Sequence, residues 1–188
     1  MTLSNYFNTI LESAQTDKGT YHSYIQNYYT NIFSNIRNED IKILEIGVLD
    51  GKSIKFWNDW FINAEIIGMD INTKSKPFID ANGYTVLWED AYTKQGVSNF
   101  EDNYFDFIID DGPHTLASQL YSSVKYFSKL KIGGLLIIED IFDFNYVEEI
   151  KENIESNFSS DEYEFKCYDL RKAKGRFDDV IIEIRRLK

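Results

Sequence analysis

Apolar residues recur at helical spacing near the start of the chain, at Leu3, Phe7, Ile10 and Leu11, and again at Ile25, Tyr28, Tyr29, Ile32, Phe33 and Ile36. These two stretches predict helices with one apolar face each, lying over an edge or the mouth of a sheet. Between them Thr16-Asp17-Lys18-Gly19-Thr20 breaks the period and opens a polar, aromatic linker that runs to Tyr24. From Asp40 onward the rhythm changes to short apolar runs at 42–46, 65–69, 85–88, 104–109 and 135–138, which predict five buried strands. Helical patterns separate or follow them: Ile54, Trp57 and Phe61; then Leu116, Leu120, Val124, Phe127 and Leu130, stopped by Gly133-Gly134; then Val147, Ile150, Ile154 and Phe158. Two further strands are predicted near 163–170 and 180–187, joined by a hairpin-like loop at 171–176 that suits a closing antiparallel edge. Strands that alternate with helices, each ending in an acid or a glycine turn, argue for an open α/β sheet.

Composition narrows this picture. The 188 residues suit one domain, 1–188, in which residues 1–38 form an N-terminal helical cap. Fourteen Phe, 13 Tyr and 3 Trp supply bulk for a substantial core. The formal net charge of −11 repels a phosphate backbone, so a small-molecule partner is expected and nucleic acid is not. Cys167 is the single cysteine and has no internal partner, which fits a reducing, cytoplasmic setting. Met1-Thr2-Leu3-Ser4-Asn5 shows no basic-then-apolar leader. No apolar run reaches the ~18 residues of a spanning helix, so no membrane attachment is expected.

Candidate chemistry gathers at the predicted strand ends. Glu45-Ile46-Gly47-Val48-Leu49-Asp50-Gly51 reads as a strand breaking into a tight turn that enters a helix, where glycine permits both the turn and close approach of a ligand. Ser53 is placed either to cap that helix or to touch a ligand at its start. Asp70, at the end of the second strand, can accept hydrogen bonds from ribose hydroxyls. Asp90 closes the third strand. Asp111, Glu139 and Asp140 converge if the fourth and fifth strands are neighbours, and three unpaired carboxylates would repel. Either a hard divalent cation such as Mg²⁺, Mn²⁺ or Ca²⁺, or a basic partner, is therefore expected there. His114 can take a proton from a substrate hydroxyl, or else serve as a capping or surface residue. His22 packs with Tyr21 and Tyr24 on the plainer reading.

Together, the turn at 45–51, Asp70 and the Gly133-Gly134 pair resemble the class I S-adenosylmethionine-dependent methyltransferases. More narrowly, Thr16-Asp17-Lys18, Ile109-Asp110-Asp111-Gly112-Pro113-His114, Ile138-Glu139-Asp140 and Asp169-Leu170-Arg171 resemble the metal-dependent bacterial macrolide-sugar O-methyltransferases. The resemblance implies a Rossmann-like, seven-stranded, mostly parallel sheet with an antiparallel last strand, preceded by N-terminal helices. It implies S-adenosylmethionine held by Glu45, Gly47, Gly51, Ser53, Asp70 and Asp90. It further implies Mg²⁺ or Mn²⁺ held by Asp111, Glu139 and Asp140, with His114 as base and Asp111 beside it in catalysis. Leu49 departs from the wider superfamily, which often has a middle glycine there. The activity implied is O-methylation of a hydroxyl on a sugar or glycosylated small molecule, and fold analogy adds a possible homo-oligomer. Two rival readings are a nucleotide-dependent dehydrogenase and a non-catalytic acidic module that binds a polysaccharide or protein through Tyr21-His22-Ser23-Tyr24 and Tyr28-Tyr29. The spacing Gly47-x-x-x-Gly51 lacks the first glycine step of the dinucleotide fingerprint and disfavours the dehydrogenase.

Overall fold

The computed structural model describes residues 3–188. Met1 and Thr2, where the reading of an absent leader begins, lie outside the described residues, as do the side chains of Leu3, Ser4, Asn5, Tyr6 and Asn8. Seven strands form one sheet in the order β3-β2-β1-β4-β5-β7-β6. They are β1 (Lys42–Ile46), β2 (Glu65–Met69), β3 (Thr85–Leu87), β4 (Phe105–Asp110), β5 (Leu130–Ile138), β6 (Tyr163–Asp169) and β7 (Val180–Arg186). β1 to β5 run parallel, and β7 inserts antiparallel to both β5 and β6. Chain order reverses between β1 and β4, the place where an open α/β sheet presents a crevice beyond its carboxyl ends.

Alternation along the strands sorts the core onto two faces. Ile43, Ile109, Ile137 and Ile181 share one buried cluster with Phe7 of α1 (Leu3–Ala14), Phe33 of α3 (Thr30–Phe33), and Trp57 and Trp60 of α4 (Lys52–Trp60). Leu44, Ile108, Leu136, Ile138 and Ile182 share the other with Ile150 and Ile154 of the helix at Asn145–Asn157. Phe7 meets Trp60 and Phe56 edge-on, with ring centroids 4.3 and 5.1 Å apart, so the N-terminal helix is sealed to α4 by aromatic packing. Among the described residues no helix is long and apolar enough to cross a membrane.

Two expectations change. The Gly133-Gly134 pair does not stop a helix. The helix ends at Lys125, a 3-10 turn covers Phe127–Lys129, and both glycines lie within β5. Gly133 has φ +86°, and the pairing of β4 with β5 shifts register between Phe105 and Phe107, so the glycines absorb an irregularity in the strand. The second predicted helix is shorter than its pattern and opens on a wider π-helical turn at Ile25–Tyr29 that continues into α3. A short helix, Arg171–Lys174, sits inside the loop before β7.

Candidate functional site

The turn after β1 is built around close backbone approach. Gly47 donates its N–H to the Met69 carbonyl at 2.9 Å, and a Cβ on it would stand 1.9 Å from the Asp111 carbonyl oxygen. Asp111 N–H in turn donates to Ile46 O, and Glu139 N–H donates to Asp110 O, so the tips of β1, β4 and β5 are tied by backbone bonds. Asp70 closes the turn from the β2 side: its Oδ2 accepts from Val48 N (2.8 Å) and Leu49 N (3.1 Å), and its Oδ1 accepts from Asn72 N (2.7 Å).

Beyond these tips lies a cavity of about 720 Å³, within the range of small-molecule sites. Gly47, Leu49, Asp70 and Asp90 line one part, and Asp111, His114 and Asp140 line another. Glu45, Gly51 and Ser53 stand behind the wall. Glu45 is fully buried, its carboxylate accepting from Ser53 Oγ (2.8 Å) and Trp57 Nε1 (3.2 Å). Ser53 therefore neither caps α4 nor faces the cavity, and Gly51, at φ +82°, packs against Phe78 and Ile79.

His114 Nε2 lies 3.6 Å from Asp140 Oδ2 and 3.9 Å from Asp111 Oδ1, and potential ligand atoms of the three residues all fall within 4.8 Å of one another. His114 is about one-third exposed, open to the cavity. Thr115, not His114, caps the following helix, α7 (Leu116–Lys125), by accepting from Ser118 N. Leu49, His114 and Asp140 all adopt left-handed backbone angles, φ +47°, +55° and +54°. Such angles are costly for residues other than glycine and are retained where surrounding structure enforces them. The angle at Leu49 also explains why a glycine suits that position in the wider superfamily.

Glu139 faces inward. It is 1% exposed; Tyr29 donates to its Oε1, and the Lys18 ammonium bonds its Oε2 at 2.6 Å. Lys18 also bonds Asp111 Oδ2 and stands 3.4 Å from Glu45 Oε1, so the basic partner required by the acids is present in the chain itself. Burial would lower the Lys18 pKa, yet Asp111, Glu139 and Glu45 together hold it well above the ordinary value. Burial pushes Glu139 up to about 7, against the pull of Lys18, and pushes Asp111 up as well.

Several of these partners were not singled out by the sequence reading. Lys18 was named within Thr16-Asp17-Lys18 but given no role, although the need of the acids for a basic partner was an available signal. Helix α7 buries Ser118, Gln119, Ser122 and Ser123, while Leu116 and Leu120 are only half-buried. Gln119 Nε2 donates to the carbonyls of Glu139 (3.3 Å) and Asp140 (3.2 Å), and Ser122 and Tyr92 donate to the buried Asp110 carboxylate. The recurrence of these polar residues at helical spacing was the missed sign. Tyr24 donates to Asp140, Tyr28 to Glu183 at 2.9 Å, and His22 Nδ1 lies 2.7 Å from Asp179 and 3.5 Å from Asp140. His22 also stacks on Tyr24, ring centroids 4.9 Å apart. His22, Ser23, Tyr24, Tyr28 and Tyr29 are thus buried, and of the proposed aromatic binding surface only Tyr21 is exposed. That surface does not exist as the binding-module reading required.

No protein-family model matches the sequence. Mycinamicin VI 2''-O-methyltransferase of Micromonospora griseorubida is 31% identical over 124 residues, which cover 61% of this chain and 31% of that protein. Demethylmacrocin O-methyltransferase of Streptomyces fradiae is 30% identical over the same length and shares. The match thus spans about a third of these curated relatives. Among solved structures, MycE methyltransferase from the mycinamycin biosynthetic pathway, in complex with Mg, SAH and mycinamycin VI, superimposes with a TM-score of 0.75 at 19% identity, covering 97% of this chain and 53% of that one. A putative rRNA-methylase from Clostridium thermocellum gives a TM-score of 0.65 at 12% identity, covering 87% and 97%. The fold is therefore the Rossmann-like methyltransferase fold, and the chain resembles the macrolide-sugar O-methyltransferase branch within it.

Proposed function

We propose that this chain catalyses S-adenosylmethionine-dependent O-methylation of a hydroxyl on a sugar or glycosylated small molecule, assisted by Mg²⁺ or Mn²⁺. The carrying observation is a single cavity lined by Gly47 and Asp70 in one part and by Asp111, His114 and Asp140 in another. The mycinamicin and demethylmacrocin relatives supply the acceptor class, and MycE, solved with Mg and SAH, supplies the two cofactors. The net charge of −11 favours such an acceptor over RNA, despite the rRNA-methylase among the structural neighbours.

The residues present fit both groups. Asp70 keeps its carboxylate at the cavity wall, beside a turn where the absence of a Gly47 side chain brings backbone near a ligand. Asp111 and Asp140 offer hard oxygen donors close together beside His114, and Glu139, outside that trio and held by Lys18 and Tyr29, would have to release an oxygen to join them. When bound, S-adenosylmethionine supplies an electrophilic methyl group and the cation lowers the pKa of the acceptor hydroxyl. His114 Nε2 accepts the hydroxyl proton, and Asp140, 3.6 Å away, stabilises the resulting imidazolium. Asp90 and Tyr92 also line the cavity, while Tyr24 and Gln119 hold Asp140 in place.

The test is methyl transfer from S-adenosylmethionine to a panel of macrolide glycosides and simple rhamnosides, followed by mass spectrometry. A mass increase of one methyl that disappears in chelator and returns with Mg²⁺ is expected. Undiminished transfer in chelator removes the cation, and no transfer to any glycoside removes the acceptor class.

A further inference from the structure

Lys18 is among the largest side chains buried below 2% exposure, and its ammonium has three carboxylate neighbours. These come from three separate strand ends: Glu45 in β1, Asp111 after β4 and Glu139 after β5. Its contacts are unequal. It bonds Asp111 and Glu139 directly, whereas Glu45 Oε1 stands back at 3.4 Å and keeps Ser53 and Trp57 as its own donors. Three carboxylates thus face one ammonium, which leaves a formal excess of two negative charges for a further cation to offset.

Asp111 is where two demands meet. Its Oδ2 is held by Lys18, and its Oδ1 faces His114 and the cavity. Glu139 is more fully committed, with one oxygen on Lys18 and the other on Tyr29. A divalent ion drawing on Asp111 and Glu139 must take oxygens that the ammonium already uses, and two cations a few ångströms apart repel. Glu45 gives the ammonium a place to withdraw to without leaving the buried site.

We propose that Lys18 is a positioning residue that competes with the divalent cation for Asp111 and Glu139, retaining Glu45 as its partner, and so sets how tightly the cation is held. This rests on the reading that the site takes a divalent cation. Lys18 thereby also ties metal binding to the N-terminal cap, because it stands on the four-residue helix α2 (Asp17–Thr20).

Mn²⁺ titration of the full chain in the presence of S-adenosylhomocysteine, read by the electron paramagnetic resonance signal of free Mn²⁺, needs no acceptor and no turnover. Lys18→Met is expected to bind Mn²⁺ at least about tenfold more tightly than the parent, since a repelling charge at the site is gone, and Lys18→Arg to bind like the parent. Unchanged or weaker binding by a Lys18→Met protein that melts like the parent overturns the competition while leaving the proposed cation site intact. Absence of Mn²⁺ binding from parent and variant alike overturns the cation reading and this inference with it. If Lys18→Met does not fold, a crystal of the parent chain soaked with Mn²⁺ decides. Anomalous density on Asp111 and Glu139, with Lys18 Nζ on Glu45 alone, supports the competition; density with Lys18 still bridging Asp111 and Glu139 overturns it.

Discussion

His114 offers the site an imidazole reachable from the cavity, 3.6 Å from one carboxylate and 3.9 Å from another. It does not cap its helix, so the capping alternative has no role to explain its conformation, and its φ of +55° turns the ring-bearing residue against the backbone's own preference. His114→Ala is expected to lower kcat by about 10²- to 10⁴-fold, the usual worth of a positioned base. S-adenosylhomocysteine affinity should stay within a factor of about two, because removing a group that acts in the transition state leaves ground-state binding largely alone. Equal loss of both, measured by calorimetry beside initial rates, would make His114 part of the binding surface instead.

At the scale of elements, the strand ends are held in place by backbone contact, and Gly47 is where that contact is tightest. Gly47→Ala combines a φ of +87° with a Cβ that would stand 1.9 Å from Asp111 O, and should cost about 3 kcal/mol or more in chemical denaturation. Gly83→Ala is the comparison: φ is +70° but nothing lies within 4 Å, so about 1 kcal/mol is expected. Equal losses would mean that the turn gives way easily. The same elements separate what sequence reveals from what it hides. β1, β2 and β4 were legible because central parallel strands, largely buried on both faces, read as nearly continuous apolar runs, with acids close to where those runs stop. β5 was read short because Gly133-Gly134 looks like punctuation until the register shift in the neighbouring pairing is known. Helix α7 was read by its leucines, whereas the side it buries most deeply is polar, since its task is to satisfy Asp110 and the carbonyls of Glu139 and Asp140. Lys18 was hidden for a simpler reason. Its partners lie 27, 93 and 121 positions along the chain, at Glu45, Asp111 and Glu139, and the need for a counter-ion does not by itself say which cation in the chain meets it.

Across the whole molecule, the N-terminal helices close over acids at the ends of the parallel strands with Lys18, His22, Tyr24 and Tyr29. The cap is therefore part of the site's wall rather than an appendage, which is why its aromatic residues are buried instead of offered to a partner. On this account the cavity beyond β1 and β4 binds a sulfur-bearing nucleoside. Isothermal titration of S-adenosylhomocysteine into the full chain tests it most directly: a one-to-one isotherm with a Kd on the order of 1–10 μM, about −7 to −8 kcal/mol, is predicted. No detectable heat up to about 1 mM, with the protein folded by circular dichroism, would contradict it.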